Sequence, residues 1–182
     1  DRPGGVLIDN VYPDSPADRA GLEQGDVVLS VDGEDIFDTQ GLKYFIGISN
    51  VGGEMDLDVL NGNDRNTLTI KLEAAPEMPA RNITTLEGSH IFENIRVANL
   101  SPAYSEELGV NMFEKGVIIL EIDRNSPVRR LNVLRAGDIF ETIDNEEIDK
   151  VETLQDVLED TDDEISFAVR RAGRLIDCSA RG

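Results

Sequence analysis

A few groups of residues in this chain are of the type and spacing that do chemistry. The stretch GISNVGG, Gly47 to Gly53, sets Ser49 among glycines, as a nucleophilic serine often is. Its spacing is GxSxxG, however, and it closes a predicted helix, whereas a nucleophile elbow sits on a strand-to-helix turn. NGNDRN (Asn61 to Asn66) and EDTDDE (Glu159 to Glu164) offer carboxylate and amide oxygens to a calcium ion. Neither has the alternating acidic run, glycine and distant glutamate of a calcium loop, so they read as a hairpin turn and a solvated acidic loop. Cys178, the single cysteine, alternates with Ile176 and Ala180 and reads as a half-buried strand thiol. His90, the single histidine, has no serine and carboxylate placed to make it a base, and reads as a surface residue. No set of residues supports catalysis, a metal site or a cofactor within this chain.

What the sequence does carry is a long repeat. SPADRAGLEQGDVVLSVDG (Ser15 to Gly33) returns as SPVRRLNVLRAGDIFETIDN (Ser126 to Asn145). Gly25-Asp26 matches Gly137-Asp138 at an offset of 112, and GVLIDNV from Gly5 matches GVIILEI from Gly116 at an offset of 111. The second copy therefore holds one extra residue between Ser-Pro and Gly-Asp. A repeat this long is a whole domain and not a solenoid unit.

Each copy reads as strand, short helix, strand. Ser15 offers an N-cap oxygen, Pro16 fits the first helical position, and Gly21 can end the turn in the left-handed conformation. Asp32-Gly33 signals a turn. In the second copy Asn132 and Asn145 stand near the corresponding turn glycines, and asparagine tolerates positive φ well. Downstream, Asp38 or Thr39 can cap a helix with Leu42, Phe45 and Ile46 on one face. Asp149 and Glu152 have capping-box spacing ahead of Val151, Leu154 and Leu158 on one stripe. A hairpin follows in each copy: Met55, Leu57 and Val59, then a turn at Asn61-Gly62 and a return through Leu68, Ile70 and Leu72. Its counterpart is Ile165, Phe167 and Val169, a turn near Ala172-Gly173, then Ile176 and Cys178. The fold class is mainly β with short helices (α+β), as two small, partly open β-barrels in tandem. APEMPARNITT, with two prolines, reads as an extended linker. The expected boundaries are 1–75, a linker at 76–86, and 87–182.

The chain has 182 residues, 40% hydrophobic and 30% charged, an ordinary globular mix. Its 37 acidic against 17 basic residues give a net charge of −20, which argues against nucleic-acid binding and against adsorption to anionic membranes. No apolar run reaches the roughly 18 residues of a membrane span. The start at Asp1, without methionine or signal peptide, suggests a mature or excised piece.

SPADRAGLEQGDVVLSVDGEDI resembles the signature of bacterial PDZ domains, SPA-x-x-AGL-x-x-GD followed by a strand and a turn glycine. The linker and EGSHIFENIRVANLSPAYSEELGV resemble the start of the second PDZ domain in Do-like (DegP/HtrA-type) periplasmic serine proteases. That resemblance covers essentially the whole chain. It implies a protease domain elsewhere in the parent protein supplying the catalytic triad, a periplasmic location, and a non-catalytic tandem that captures extended or C-terminal segments of unfolded proteins. It also implies a part in holding the family's oligomers together. The rival reading is a stand-alone PDZ scaffold that joins partners without a protease.

PDZ domains take peptide by strand addition beside a helix, and loop amides receive a terminal carboxylate. Carried onto this sequence, the second-domain loop falls on Ile91, Phe92, Glu93, Asn94 and Ile95, leading into Arg96 and Val97. The helix wall falls on Val151, Leu154 and Leu158. Do-like domains have glycine where Asn94 stands, and Glu93 would repel a carboxylate unless it points outward. In the first domain the matching loop should precede Gly5, where only DRPG stands. That domain is expected to lack its N-terminal strand and to bind peptide poorly through the half groove at Leu42, Phe45 and Ile46. The net charge should favour neutral or basic peptides over acidic ones.

Overall fold

The computed structural model describes residues 4–159 and 164–181. The start of DRPG and the middle of the acidic EDTDDE stretch lie outside the described residues. The chain divides into two compact units, Asp1–Ala74 and Ala75–Gly182.

In the first unit, β1 (Val6–Leu7) pairs antiparallel with β2 (Val27–Val31), with the short helix α1 (Pro16–Arg19) between them. The Ser15 hydroxyl accepts from the Asp18 N–H at 3.2 Å, the cap its position promised, and Gly21 closes the turn at φ +89°. A tight turn at Asp32-Gly33 leads into β3 (Glu34–Asp35), then α2 (Thr39–Ile48), capped by Asp38 through the Gly41 N–H. The hairpin β4 (Glu54–Asn61) and β5 (Asp64–Lys71) completes an antiparallel sheet ordered β1-β2-β4-β5, with β3 on β2. Alternation puts Met55, Leu57 and Val59 inward against Val28, Val31 and Ile36.

The second unit adds β6 (Thr84–Thr85), β7 (Ile95–Asn99) and α3 (Pro102–Leu108) in front. It then repeats the first: β8 (Val117–Ile122), a 3-10 turn (Pro127–Leu131), β9 (Ile139–Ile143), β10 (Glu146–Glu147), α4 (Val151–Glu159) and the hairpin β11 (Glu164–Arg171) and β12 (Arg174–Arg181). Its sheet runs β12-β11-β9-β8-β7-β6, with β10 on β9. Neither sheet closes into a barrel.

The repeat holds in detail. Both copies carry a bulge where the central strand meets the long hairpin, between Val28 and Ser30 and between Ala168 and Val169. In both, an aspartate opens the tight turn with positive φ and accepts from a hairpin N–H at 2.8 Å: Asp32 from Asp56, and Asp144 from Ser166. Asn132 and Asn145 adopt positive φ, as their positions required. Gly116 (φ +109°) lets the backbone pass close to β9, since a β-carbon there would lie 3.1 Å from the Phe140 carbonyl oxygen.

Three features differ from the sequence reading. Residues 76–86, read as a linker, pack with the second unit, because 84–85 form a strand on β7. The sequence reading has no counterpart of the helix α3, which Ser101 caps through the Tyr104 N–H and Gly109 ends in the left-handed region. The capping box at α4 is not formed. Asp149 accepts from the Thr153 hydroxyl, Glu152 accepts from Asn82, and the first helical N–H, of Val151, donates to Asn99 Oδ1 at 2.7 Å.

Candidate functional site

The residues expected to form a groove in the second unit are brought together. Ile91, Phe92, Ile95 and Val97 from the loop and β7 meet Val151, Leu154 and Leu158 of α4 in one cluster. Their side chains point inward. Phe92, fully buried, stands edge-on to Phe140 at 5.3 Å and to Phe167 at 5.0 Å between ring centroids. These seven side chains therefore belong to the unit's core, and what this face offers outward is backbone. Glu93 and Asn94 are half-buried. Asn94 takes φ 61°, the left-handed conformation glycine favours and asparagine accepts. Three of the loop amides expected to face a carboxylate are engaged within the protein. Glu93 N–H donates to His90 O at 3.1 Å, Asn94 N–H to Leu86 O at 2.8 Å, and Ile95 N–H to Phe92 O at 3.2 Å.

One edge of β7 pairs with β8; the other is taken by the chain's own residues 80–86. Thr84 lies opposite Val97 and Thr85 opposite Arg96, antiparallel. Leu86 N–H donates to Ile95 O at 2.8 Å, and Asn99 N–H donates to Arg81 O at 2.7 Å. The Asn99 side chain joins three elements. Its Nδ2 donates to Ala80 O at 2.9 Å while its Oδ1 receives the α4 N-terminus. Asn82 Nδ2 donates to Glu152 Oε1 on α4 at 2.8 Å. Arg81 pairs with Glu107 at 2.8 Å and with Glu77, and its guanidinium lies 4.4 Å over the Tyr104 ring. Leu86 is buried in the core, whereas Asn82, Ile83 and Thr85 are exposed. Sequence reading missed Asn99 and this strand, because their partners are distant in sequence.

A cleft of about 270 Å³ opens between residues 86–90 and the C-terminal half of α4, at Gln155, Leu158 and Glu159. Glu87 and Glu159 make its rim acidic. His90, half-buried, leans on Phe92 at 6.4 Å between centroids. Burial holds its imidazole below the ordinary value, against a hydrogen bond to the Glu87 backbone and the nearby Glu93 carboxylate. Burial likewise pushes the half-buried Cys178 thiol up, against the pull of Arg171. Ser49 caps the end of α2, its hydroxyl donating to Phe45 O at 2.8 Å. In the first unit Leu42 and Phe45 pack half-buried on the core, and Ile46 is exposed. Among the described residues, no group of three or more acidic, histidine or cysteine side chains is placed to hold a metal ion. No helix there is long and apolar enough to cross a membrane.

With the geometry in view, residues 7–61 match the PDZ domain family. The chain is 28% identical over 179 residues to the probable periplasmic serine endoprotease DegP-like of Ectopseudomonas mendocina, covering 96% of this chain and 37% of that protein. To the protein of the same description in Halomonas elongata it is 26% identical over 171 residues, 93% of this chain and 35% of that one. The chain thus spans little more than a third of the length of these relatives. A solved structure of the HtrA-type protease AlgW with decapeptide aligns with 88% of this chain and 56% of its own, at 17% identity and a TM-score of 0.42. Residues 7–61 are thus similar to a PDZ domain, and nearly the whole chain is similar to part of the DegP-like endoproteases.

Proposed function

We propose that this PDZ-bearing chain is the non-catalytic, peptide-binding and assembly-regulating part of a periplasmic Do-like serine endopeptidase. It captures extended or C-terminal segments of unfolded proteins by adding them as a strand, and it presents them to a protease domain that supplies the catalytic triad. The observation that carries this reading is an extended segment lying antiparallel on β7 beside the N-terminus of α4. A face that holds one extended segment by backbone hydrogen bonds has the geometry to hold another. The similarity to DegP-like endoproteases over 96% of the chain supports the protease context. Ile91 to Ile95 and Val97 shape this site, with Val151, Leu154 and Leu158 behind it. Leu42, Phe45 and Ile46 are the corresponding face of the first unit.

The test is an NMR titration with a short apolar-ended peptide, once as free acid and once as C-terminal amide. Shifts confined to Phe92–Val97 and Val151–Leu158 with the acid alone assign carboxylate recognition. Equal shifts with both forms mean that internal extended segments are read. No shift in either unit overturns capture and leaves an assembly role.

A further inference from the structure

We propose that residues 80–86 are a built-in occupant of the β7 edge, so that the second unit is a latent site which an incoming peptide opens by displacing them. This rests on the strand-addition reading above and specifies its regulation.

The outward-facing backbone of β7 is engaged at three successive outward residues. In an antiparallel pair alternate residues face alternate neighbours, so Ile95, Val97 and Asn99 look away from β8. Ile95 O accepts from Leu86, Val97 lies opposite Thr84, and Asn99 N–H donates to Arg81 O. The occupant also runs in the direction a C-terminal peptide would, its C-terminal end at the loop, where Leu86 O takes the Asn94 N–H. A terminal carboxylate would need that same amide. The strand edge and the Asn94 amide of the loop are therefore held by one segment.

The segment is held unevenly, and this makes it displaceable. Leu86 is buried in the core and fixes one end. From Asn82 to Thr85 the side chains are exposed or half-buried, and the only deep apolar anchor is Leu86. The other end is held by polar contacts at the surface: Arg81 to Glu107, Glu77 and the Tyr104 ring, and Asn82 to Glu152. Exposed ion pairs of this kind are weak. A competing strand replaces backbone hydrogen bonds with equivalent ones, so what opposes it is this clasp, the Asn99 bond to Ala80 O, the buried Leu86 side chain and the advantage of being tethered. Displacement therefore begins at the Arg81 end and reaches Leu86 last, and the Asn94 amide is freed only when Leu86 leaves.

The probe is the segment's own sequence supplied in trans, a fluorescein-labelled Ala80–Leu86 peptide with a free C-terminus, titrated by anisotropy into the full chain. Arg81→Ala cuts the clasp without touching β7 and should tighten binding roughly tenfold over the parent. A second pair of substitutions, Thr85→Cys with Arg96→Cys in a Cys178→Ser background, locks the strand across two residues that face each other. Oxidised, it should abolish binding to the second unit; reduced, it should restore it. NMR shifts at Ile95–Asn99 locate the bound peptide. Equal binding by parent, Arg81→Ala and the oxidised lock overturns self-occupation but leaves peptide capture standing. Absence of binding even with the clasp cut and the lock reduced overturns capture at β7, and the latent site with it.

Discussion

Helices α2 and α4 occupy the same place in the two copies, yet the apolar face of one is half-exposed and that of the other buried. At an offset of 112, Leu42 corresponds to Leu154 and Ile46 to Leu158. Ile46 is 49% exposed and Leu158 6%. No residue of α2 is buried, whereas α4 buries Val151, Leu154 and Leu158. Charge does not explain this, since unit 1 has 15 acidic and 5 basic residues and unit 2 has 22 and 12, a net −10 each. The difference lies in what stands opposite. In unit 2 the loop and β7 bring Ile91, Phe92, Ile95 and Val97 against the helix. Among the described residues unit 1 has no counterpart of β7, and the outer edge of β1 pairs with nothing. The same helix is a core element in one copy and an open apolar face in the other.

The largest test of that contrast is a matched pair of truncations. Leu154→Ala removes a fully buried side chain and should destabilise unit 2 by about 3 kcal/mol, whereas Leu42→Ala, half-exposed, should cost unit 1 about 1 kcal/mol. Residue-resolved amide exchange assigns each loss to its unit. Equal losses would mean that α2 is covered in solution and would break the comparison.

The second contrast concerns the aspartate of each Gly-Asp pair. Asp26 and Asp138 are both buried, at 2% and 1% exposure, and each accepts an N–H three residues before it, from Glu23 and Arg135. Asp138 is also gripped by Arg171, at 2.7 Å to each oxygen, which holds that guanidinium pKa above its ordinary value. Asp26 Oδ1 has no partner. The residue of β4 that corresponds to Arg171 is Asn61, by the register that sets Leu60 against Val27 and Arg170 against Ile139. Arg171→Met should therefore cost unit 2 about 2 kcal/mol by stranding a buried carboxylate. Asn61→Arg should stabilise unit 1 by about 0.5 to 1 kcal/mol by supplying the missing partner. Denaturant midpoints read both, and a destabilising Asn61→Arg would show that the two sites are not equivalent.

Much of this was legible in the residues themselves. The repeat follows from Ser-Pro, Gly-Asp and their spacing, because caps and positive-φ turns are local and leave local signs: Ser15, Asp32-Gly33, Asn132 and Asn145 behave as their types dictate. The hairpins follow from alternation over eight residues. The two-residue strand β6 left no periodic trace, and Pro76 and Pro79 beside it favoured an extended linker. Asn99 was illegible for a different reason. It is one polar residue in a strand, and its work is done on Ala80 and Val151, 19 and 52 residues away. The candidate site was legible as a set of residues that meet. That their side chains fill a core, and that their edge is already paired, depends on contacts no local pattern encodes.

Electrostatics sharpens the comparison through the ligand. Because the units share the same net charge, an acidic and a basic ten-residue peptide should differ in on-rate for either unit by about tenfold at low ionic strength. The gap should close near 0.15 M salt, where the Debye length falls to about 8 Å. Stopped-flow fluorescence measures it. On-rates insensitive to peptide charge at low salt would show that opening of the second unit, and not encounter, sets its rate.

The smallest effect comes from His90, which sits in a loop that, among the described residues, only unit 2 displays. Its folded pKa is held below the ordinary value, chiefly by burial against Phe92 and the loop. The unfolded chain therefore takes up the proton first as pH falls through about 6.5. Stability is fully present above that pH and declines below it, as the proton favours the unfolded state until the folded imidazole also titrates. The nearby Glu93 carboxylate and a hydrogen bond to the Glu87 backbone oppose the decline, so it should be modest. Since the chain has one histidine, unit 1 should show no such step. Amide exchange between about pH 7 and about pH 5, in the parent and in His90→Gln, separates this from carboxylate titration common to both units. A decline confined to unit 2 and absent in His90→Gln ties the pH response to the added loop. A decline shared by both units would assign it to their carboxylates and leave His90 a surface residue.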